Sequence, residues 1–350
     1  MAKTSKPDQP IPVTLVTGLL GSGKTTAIHQ LLQQSPADEH WGLLINEFGE
    51  IGIDAATLDG DAHWIEDVTG GCICCSAQFG YRQALQKLLQ QPLDRILIEP
   101  TGLGHPAHII DTLKAFHPHI RLAGVLLIIT PQQLTPQRWE KSAVMRDLVS
   151  LADTVLLNKI DLASRDDIQQ AEQLLQQTYP PKETILHTRL DQAVRFPPGL
   201  VDFRAMQPTF TLLSGLAAHT KHHQINQACA LVRKSKLPQV LQMKTRLADT
   251  LSIGWQFDAH IQFNRVALKD VITQQRHLVR AKGLLRTGNE WQMINVVDGQ
   301  ITWQDVAWRR DSRLELLFEI PEDQGFDADP AQHLIEQLET ALLPCLIERD

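Results

Sequence analysis

The first half of the chain carries apolar residues in two alternating rhythms. Runs that are apolar nearly throughout read as short buried strands: PVTLVT (12–17), WGLLIN (41–46), DRILIEPTG (94–102), LAGVLLIIT (122–130), DTVLLNKID (153–161) and TILHT (184–188). Between them, apolar positions recur at helical spacing. Ile28, Leu31 and Leu32 form one such stripe, Leu85, Leu88 and Leu89 within 79–91 another, and DDIQQAEQLLQQ (166–177) a third. Strands with no polar face, separated by helices, predict an α/β fold in which helices cover both faces of a parallel sheet.

The rhythm changes near 190. RFPPGL (195–200) is a turn-rich break, and 201–246 reads as a connecting segment. Beyond it, LSIGWQF (251–257), HLVRAKGLLRT (277–287), WQMINVVDGQITW (291–303) and SRLELLFEI (312–320) read as strands, with helices near 265–275 and 330–343. The Asp-Gly pair inside VVDGQI is a tight-turn signal for a hairpin. The expected organisation is a tail (1–11), an α/β domain (12–200), the connection, and a smaller α+β domain on an antiparallel sheet (247–350).

Composition adds limits. At 350 residues the chain is long enough for two cores. A net charge of −7, from 40 acidic and 33 basic residues, argues against a nucleic-acid surface. The apolar run GVLLII (124–129) is far short of the roughly 20 residues a membrane span needs, and MAKTSKPDQP has no signal-peptide core. A cytoplasmic protein with reduced thiols is the expectation.

The first chemical motif is GLLGSGKT (18–25), which satisfies G-x-x-x-x-G-K-[ST] between a strand and a helix. Glycines at Gly18, Gly21 and Gly23 let the backbone wrap phosphates, so that N–H groups, with Ser22 and Thr26 beside them, face an anion at the helix N-terminus. Lys24 can reach the β/γ-phosphates, and the Thr25 hydroxyl can ligate Mg²⁺. Glu99, at the end of a hydrophobic strand, can hold the Mg²⁺ shell or orient a water. Asn158, Lys159 and Asp161 then form N-K-x-D after another strand. A carboxylate there accepts from both N1–H and the exocyclic amine of guanine, a donor pair that adenine lacks. The domain reads as a GTPase rather than a kinase or an ATPase.

The second motif is GGCICCS (70–76). Cys72, Cys74 and Cys75 crowd into four positions behind two glycines. An odd total of five cysteines is no disulfide framework, and adjacent Cys74 and Cys75 are poorly placed to bridge each other. Three thiolates suit Zn²⁺ or Cu⁺, with Glu47, Glu50 and Asp54 nearby as candidate oxygen ligands. A redox dithiol and a buried apolar cluster are the other readings; Cys229 and Cys345 read as packing residues. In HTKHH, His219, His222 and His223 share one face if helical, which is either a metal-collecting site or a polar surface patch.

In order, GLLGSGKTT, NEFGEIGID, GGCICCS, ILIEPTGLGHP and NKID resemble the CobW-type P-loop GTPases linked to metal homeostasis, and RAKGLLRT and RRDSRLELLF resemble that family's C-terminal module. The resemblance spans roughly 12–345. It implies a GTP-hydrolysing metallochaperone with Mg²⁺ at the nucleotide and a transition metal, Zn²⁺ ahead of Co²⁺ or Fe²⁺, on Cys72, Cys74 and Cys75. It also implies a client metalloprotein as partner. Where some members carry an acidic metal ligand, this chain has Ile45, which moves the oxygen-ligand role to Glu50. A metal buffer with structural nucleotide and a P-loop small-molecule kinase or ATPase are the rival functions.

Overall fold

The computed structural model describes residues 10–45, 63–67, 75–100, 106–189, 192–196, 233–234, 237, 241–247, 250–297, 299–319 and 330–347. The chain divides into two compact units, Met1–Thr209 and Phe210–Asp350.

The first unit holds a sheet of seven described strands. In chain order these are β1 (Ile11–Gly18), β2 (Trp41–Ile45), β3 (His63–Asp67), β4 (Arg95–Glu99), β5 (Ile120–Ile129), β6 (Thr154–Leu157) and β7 (Thr184–His187). Across the sheet they run β3-β2-β4-β1-β5-β6-β7, every neighbouring pair parallel. The parallel α/β architecture expected from the apolar runs is what forms. Alternation along β5 shows how both faces are sealed. Leu126 and Ile128 join Ala27, Ile28, Leu31 and Leu32 of helix α1 (Lys24–Gln33), while Leu127 and Ile129 pack with residues of α5 (Ala143–Leu151) and α6 (Arg165–Gln177). Each such side chain, taken fully out of water, contributes about 1.5–3 kcal/mol before conformational entropy is set against it. Ser164 starts α6 with a reciprocal capping box to Asp167.

The hydrophobic rhythm did not mark every element. Strand β3, the helices α3 (Pro106–Lys114) and α4 (Pro136–Lys141), and α5 were not expected, and α2 (Cys75–Leu88) begins at the last of the clustered cysteines rather than at 79.

The second unit is built on an antiparallel sheet of order β14-β13-β12-β15-β10-β9-β8. Its strands are β8 (Arg233–Lys234), β9 (Leu241–Leu247), β10 (Thr250–Phe257), β12 (Leu278–Thr287), β13 (Glu290–Val297), β14 (Gln300–Asp305) and β15 (Ser312–Glu319). Strands β8 and β9 lie within the stretch read as a connection and extend this sheet. The hairpin expected at Asp-Gly is present: Val297 pairs with Gln300, and Gly299 takes the left-handed φ of 73° that a two-residue turn requires. Helices α7 (Arg265–Thr273) and α8 (Pro330–Leu342) supply Leu268, Ile272, Ile335, Leu338 and Leu342 to one core with Ile253, Trp255, Leu314 and Leu316 of the sheet. Short strands β11 (Gln262–Phe263) and β16 (Leu346–Ile347) tie the chain after β10 to the chain after α8.

Candidate nucleotide site

Because the strands of the first sheet are parallel, their carboxyl ends share one edge, where a doubly covered sheet binds ligands. Central β1 delivers residues 18–23 to that edge, β4 delivers Glu99, and β6 delivers Asn158.

The loop after β1 depends on two glycines. At Gly18 (φ 154°) a Cβ would drive into the Ile128 carbonyl oxygen of β5, and at Gly23 (φ 98°) into the Asn158 amide. Gly23 is also the N-cap of α1, with no side-chain capping bond and no acidic residue in the first turn. The first-turn N–H groups and the positive end of the helix are therefore open to an anion.

Four consecutive carbonyls of this loop accept from four different side chains. Lys24 Nζ lies 3.4 Å from Leu19 O, Gln133 Nε2 donates to Leu20 O at 2.9 Å, Lys159 Nζ to Gly21 O at 2.9 Å and Asn158 Nδ2 to Ser22 O at 2.7 Å. Carbonyl oxygen would repel phosphate; here it is committed to cations and amides. Lys24 Nζ also stands 3.9 Å from Glu99 Oε1, both side chains largely covered. Thr25 is the second residue of α1. A hydroxyl and a carboxylate are hard oxygen donors of the kind Mg²⁺ takes alongside phosphate oxygens.

Asn158, 9% exposed, turns its Oδ1 back to the Lys159 N–H at 2.8 Å, so both ends of its amide are used. Lys159 sits in the left-handed region at φ 57°, and a single 3-10 turn, Ile160–Leu162, follows with Asp161 in it, exposed. Thr188, just past β7, accepts from Ile160 N at 3.1 Å, which binds the two loops together.

A pocket opens beside the phosphate loop. It is lined by Gly23, Thr26 and Gln30 of α1, by Asn158 and Lys159, and by Thr188, Arg189 and Gln192 after β7. Its far wall is pinned to α1 by two glutamines. Gln30 Oε1 accepts from Val194 N (3.0 Å) and Gln34 Oε1 from Phe196 N (3.1 Å), while Gln34 Nε2 donates to Val194 O (2.7 Å). Val194 and Phe196 are buried against Ala27 and Leu31. The loop after β7 and its glutamine clasp carry no motif spacing; only the strand TILHT pointed toward them.

The structure thus brings Gly18, Gly21, Ser22, Gly23, Lys24, Thr25, Thr26, Glu99, Asn158, Lys159 and Asp161 to one edge of one sheet. Of the proposed transition-metal ligands, Cys72, Cys74, Glu50, His219, His222 and His223 lie outside the described residues, and Cys75 is described only as the first residue of the α2 backbone. Among the described residues no group of three or more His, Cys, Asp or Glu side chains is placed to hold a metal ion. Ile45 ends β2 buried, in register with Glu99, so that position offers an alkyl group and no oxygen.

Phosphate loop, acidic strand end and base-side loop on a parallel sheet define a P-loop nucleotide-binding domain. Residues 12–186 match the family model described as CobW/HypB/UreG, nucleotide-binding domain, and the chain belongs to that family. It is 34% identical over 314 residues to the zinc chaperone YeiR of Escherichia coli (strain K12), covering 87% of this chain and 92% of that one. It is 31% identical over 196 residues to the zinc chaperone YjiA of the same organism, covering 53% of this chain and 61% of that one. A solved structure, Zn(II)-bound YjiA GTPase from E. coli, aligns at 19% identity and TM-score 0.42 over 97% of this chain and 99% of its own.

Proposed function

We propose that this chain is a GTP-hydrolysing metallochaperone. It carries a transition metal ion, Zn²⁺ ahead of Co²⁺ or Fe²⁺, as cargo on Cys72, Cys74 and Cys75 with Glu50, and GTP hydrolysis drives its transfer to a client metalloprotein. The observation that carries the nucleotide half is the continuity of the site: the side chains that hold the phosphate loop, Asn158 and Lys159, also line the adjoining pocket. The cargo half is supported by the thiol-rich sequence between β3 and α2 and by the relatives' names.

In this reading Gly18 to Thr26 cradle the phosphates, Asp161 reads guanine from the loop beside the pocket, and Lys24 holds negative charge that builds on the phosphates. Mg²⁺, held by Thr25 and Glu99, supplies further neutralisation of that charge when bound. Glu99 keeps Lys24 in place before nucleotide arrives, and the ammonium exchanges one anionic partner for another. His219, His222 and His223 collect metal for the thiols. The test spans both halves. Zinc is measured per chain in wild type and in a Cys74→Ser, Cys75→Ser double variant, and GTP and ATP compete for binding in wild type and Asp161→Asn. About one ion per wild-type chain, lost in the double variant, with a GTP preference lost in Asp161→Asn, is expected. Zinc bound equally by both proteins, or ATP preferred by wild type, contradicts the proposal.

A further inference from the structure

We infer that Gln132 and Gln133 are positioning residues for nucleotide recognition, adjacent side chains that hold the phosphate loop and the base-reading loop in one fixed relation; this rests on the guanine-nucleotide reading above. The two glutamines follow β5 in a tight turn. Gln133 N donates to Thr130 O at 3.0 Å, and Pro131 occupies the second position, where its fixed φ preorganises the turn. Leu134, fully buried in the core beneath α5, anchors the turn to the body of the unit.

From this base the two side chains reach different loops. Gln133 Oε1 accepts from Thr130 N at 3.2 Å, which fixes the orientation of the amide and aims its N–H₂ at Leu20 O. Gln132 Nε2 donates to Leu162 O at 2.6 Å, in the 3-10 turn that contains Asp161. The two acceptor residues themselves have no apolar hold, although their neighbours Leu19 and Ile160 pack against the core. Leu20 is 90% exposed and Leu162 61%, so packing of their side chains does not hold either tip. An amide hydrogen bond ties each acceptor carbonyl to the turn after β5. A neutral amide does so without adding charge beside the phosphates and without titrating. Lysine or glutamate at these positions would alter the field that the anion meets.

The two positions make separable predictions. Beyond its own turn Gln133 bonds the phosphate loop, so its loss weakens every nucleotide alike. Gln132 touches only the turn that carries Asp161, so its loss blurs the reading of guanine's exocyclic amine. The experiment uses the full chain and displacement of a fluorescent GDP analogue by GDP, by IDP, which lacks that amine, and by ADP. The variants are Gln133→Met and Gln132→Met, which keep side-chain length and remove the donor. Gln133→Met is expected to weaken GDP and IDP by the same factor, about three- to tenfold for one lost hydrogen bond, with their ratio unchanged. Gln132→Met is expected to narrow the GDP-over-IDP preference by a similar factor. Both should keep the nucleotide-free melting temperature, since neither side chain packs in the core.

Wild-type affinities and ratios in both variants overturn the inference. So does a fall in melting temperature with GDP and IDP weakened equally by Gln132→Met, the pattern of a merely structural role. If wild type itself binds GDP no better than ADP, the guanine reading falls and Gln132's part with it. Gln133's part is then decided by the affinity for whichever nucleotide binds.

Discussion

At the scale of single residues, Asn158 is the side chain on which the nucleotide site converges. Its amide holds Ser22 O and its own neighbour's N–H, and it lies where a Cβ on Gly23 would collide. Asn158→Ala leaves a buried carbonyl unsatisfied, so unfolding stability should drop by about 1–3 kcal/mol, and nucleotide affinity should fall with it. Chemical denaturation and GDP titration of the same variant check both. Cys345 supplies a pH-dependent counterpart in the other unit. Burial, and after it the Asp270 carboxylate, pushes this thiol above its ordinary value of 9.0. The unfolded chain therefore loses the proton at lower pH than the folded one. The thiol's contribution to stability is full below about pH 9 and is lost as pH rises through the higher folded value. Urea midpoints at pH 8 and pH 10 should differ more in wild type than in Cys345→Ala; equal differences contradict the assignment. Residues with a spacing rule, such as Lys24 and Asp161, were legible from the sequence. Gln133 and Gln30 were not, because a glutamine in a polar loop or on a helix face has no signature until its partner carbonyl or N–H is brought to it across some hundred residues or more.

At the scale of elements, α1 does two jobs. Its first turn faces the phosphate loop, and its third clasps the backbone of 194–196 through Gln30 and Gln34. The clasp makes the pocket wall part of the same rigid body as the phosphate cradle. A Gln30→Ala, Gln34→Ala double variant should weaken GTP and GDP by the same factor, about tenfold, since in the proposed reading phosphate meets the N-terminus of α1, away from the clasp. An effect on GTP alone, in paired titrations, would contradict the clasp's role in holding the pocket wall. The parallel core was readable because β1, β4, β5 and β6 are apolar on both faces. Strand β9, LQMKTRL, is a harder case. Leu241, Met243 and Leu247 alternate with polar residues, and the strand pairs with β10, yet lysine and arginine within it gave the stretch the look of a connection. Helices α3 to α5 escaped notice because each is short and the apolar stripe of any one is under three turns long.

At the scale of the whole molecule, the chain pairs a nucleotide-binding unit of the CobW/HypB/UreG family with a second unit that has its own sheet and core. Among the described residues no helix is long and apolar enough to cross a membrane. Of the proposed thiol ligands, Cys72 and Cys74 fall in sequence between β3 and α2, two elements of the nucleotide-binding unit, and Cys75 begins α2, with β4 and Glu99 following it. A metal held there shares a stretch of backbone with groups expected to sense the γ-phosphate, so each ligand should alter the affinity of the other by an equal factor. The most direct measurement is Zn²⁺ affinity, by competition with a chromophoric chelator, for protein loaded with GDP and with a non-hydrolysable GTP analogue. Tighter zinc binding in the GTP-like state, about tenfold or more, is predicted. The same affinity in both states would contradict the account.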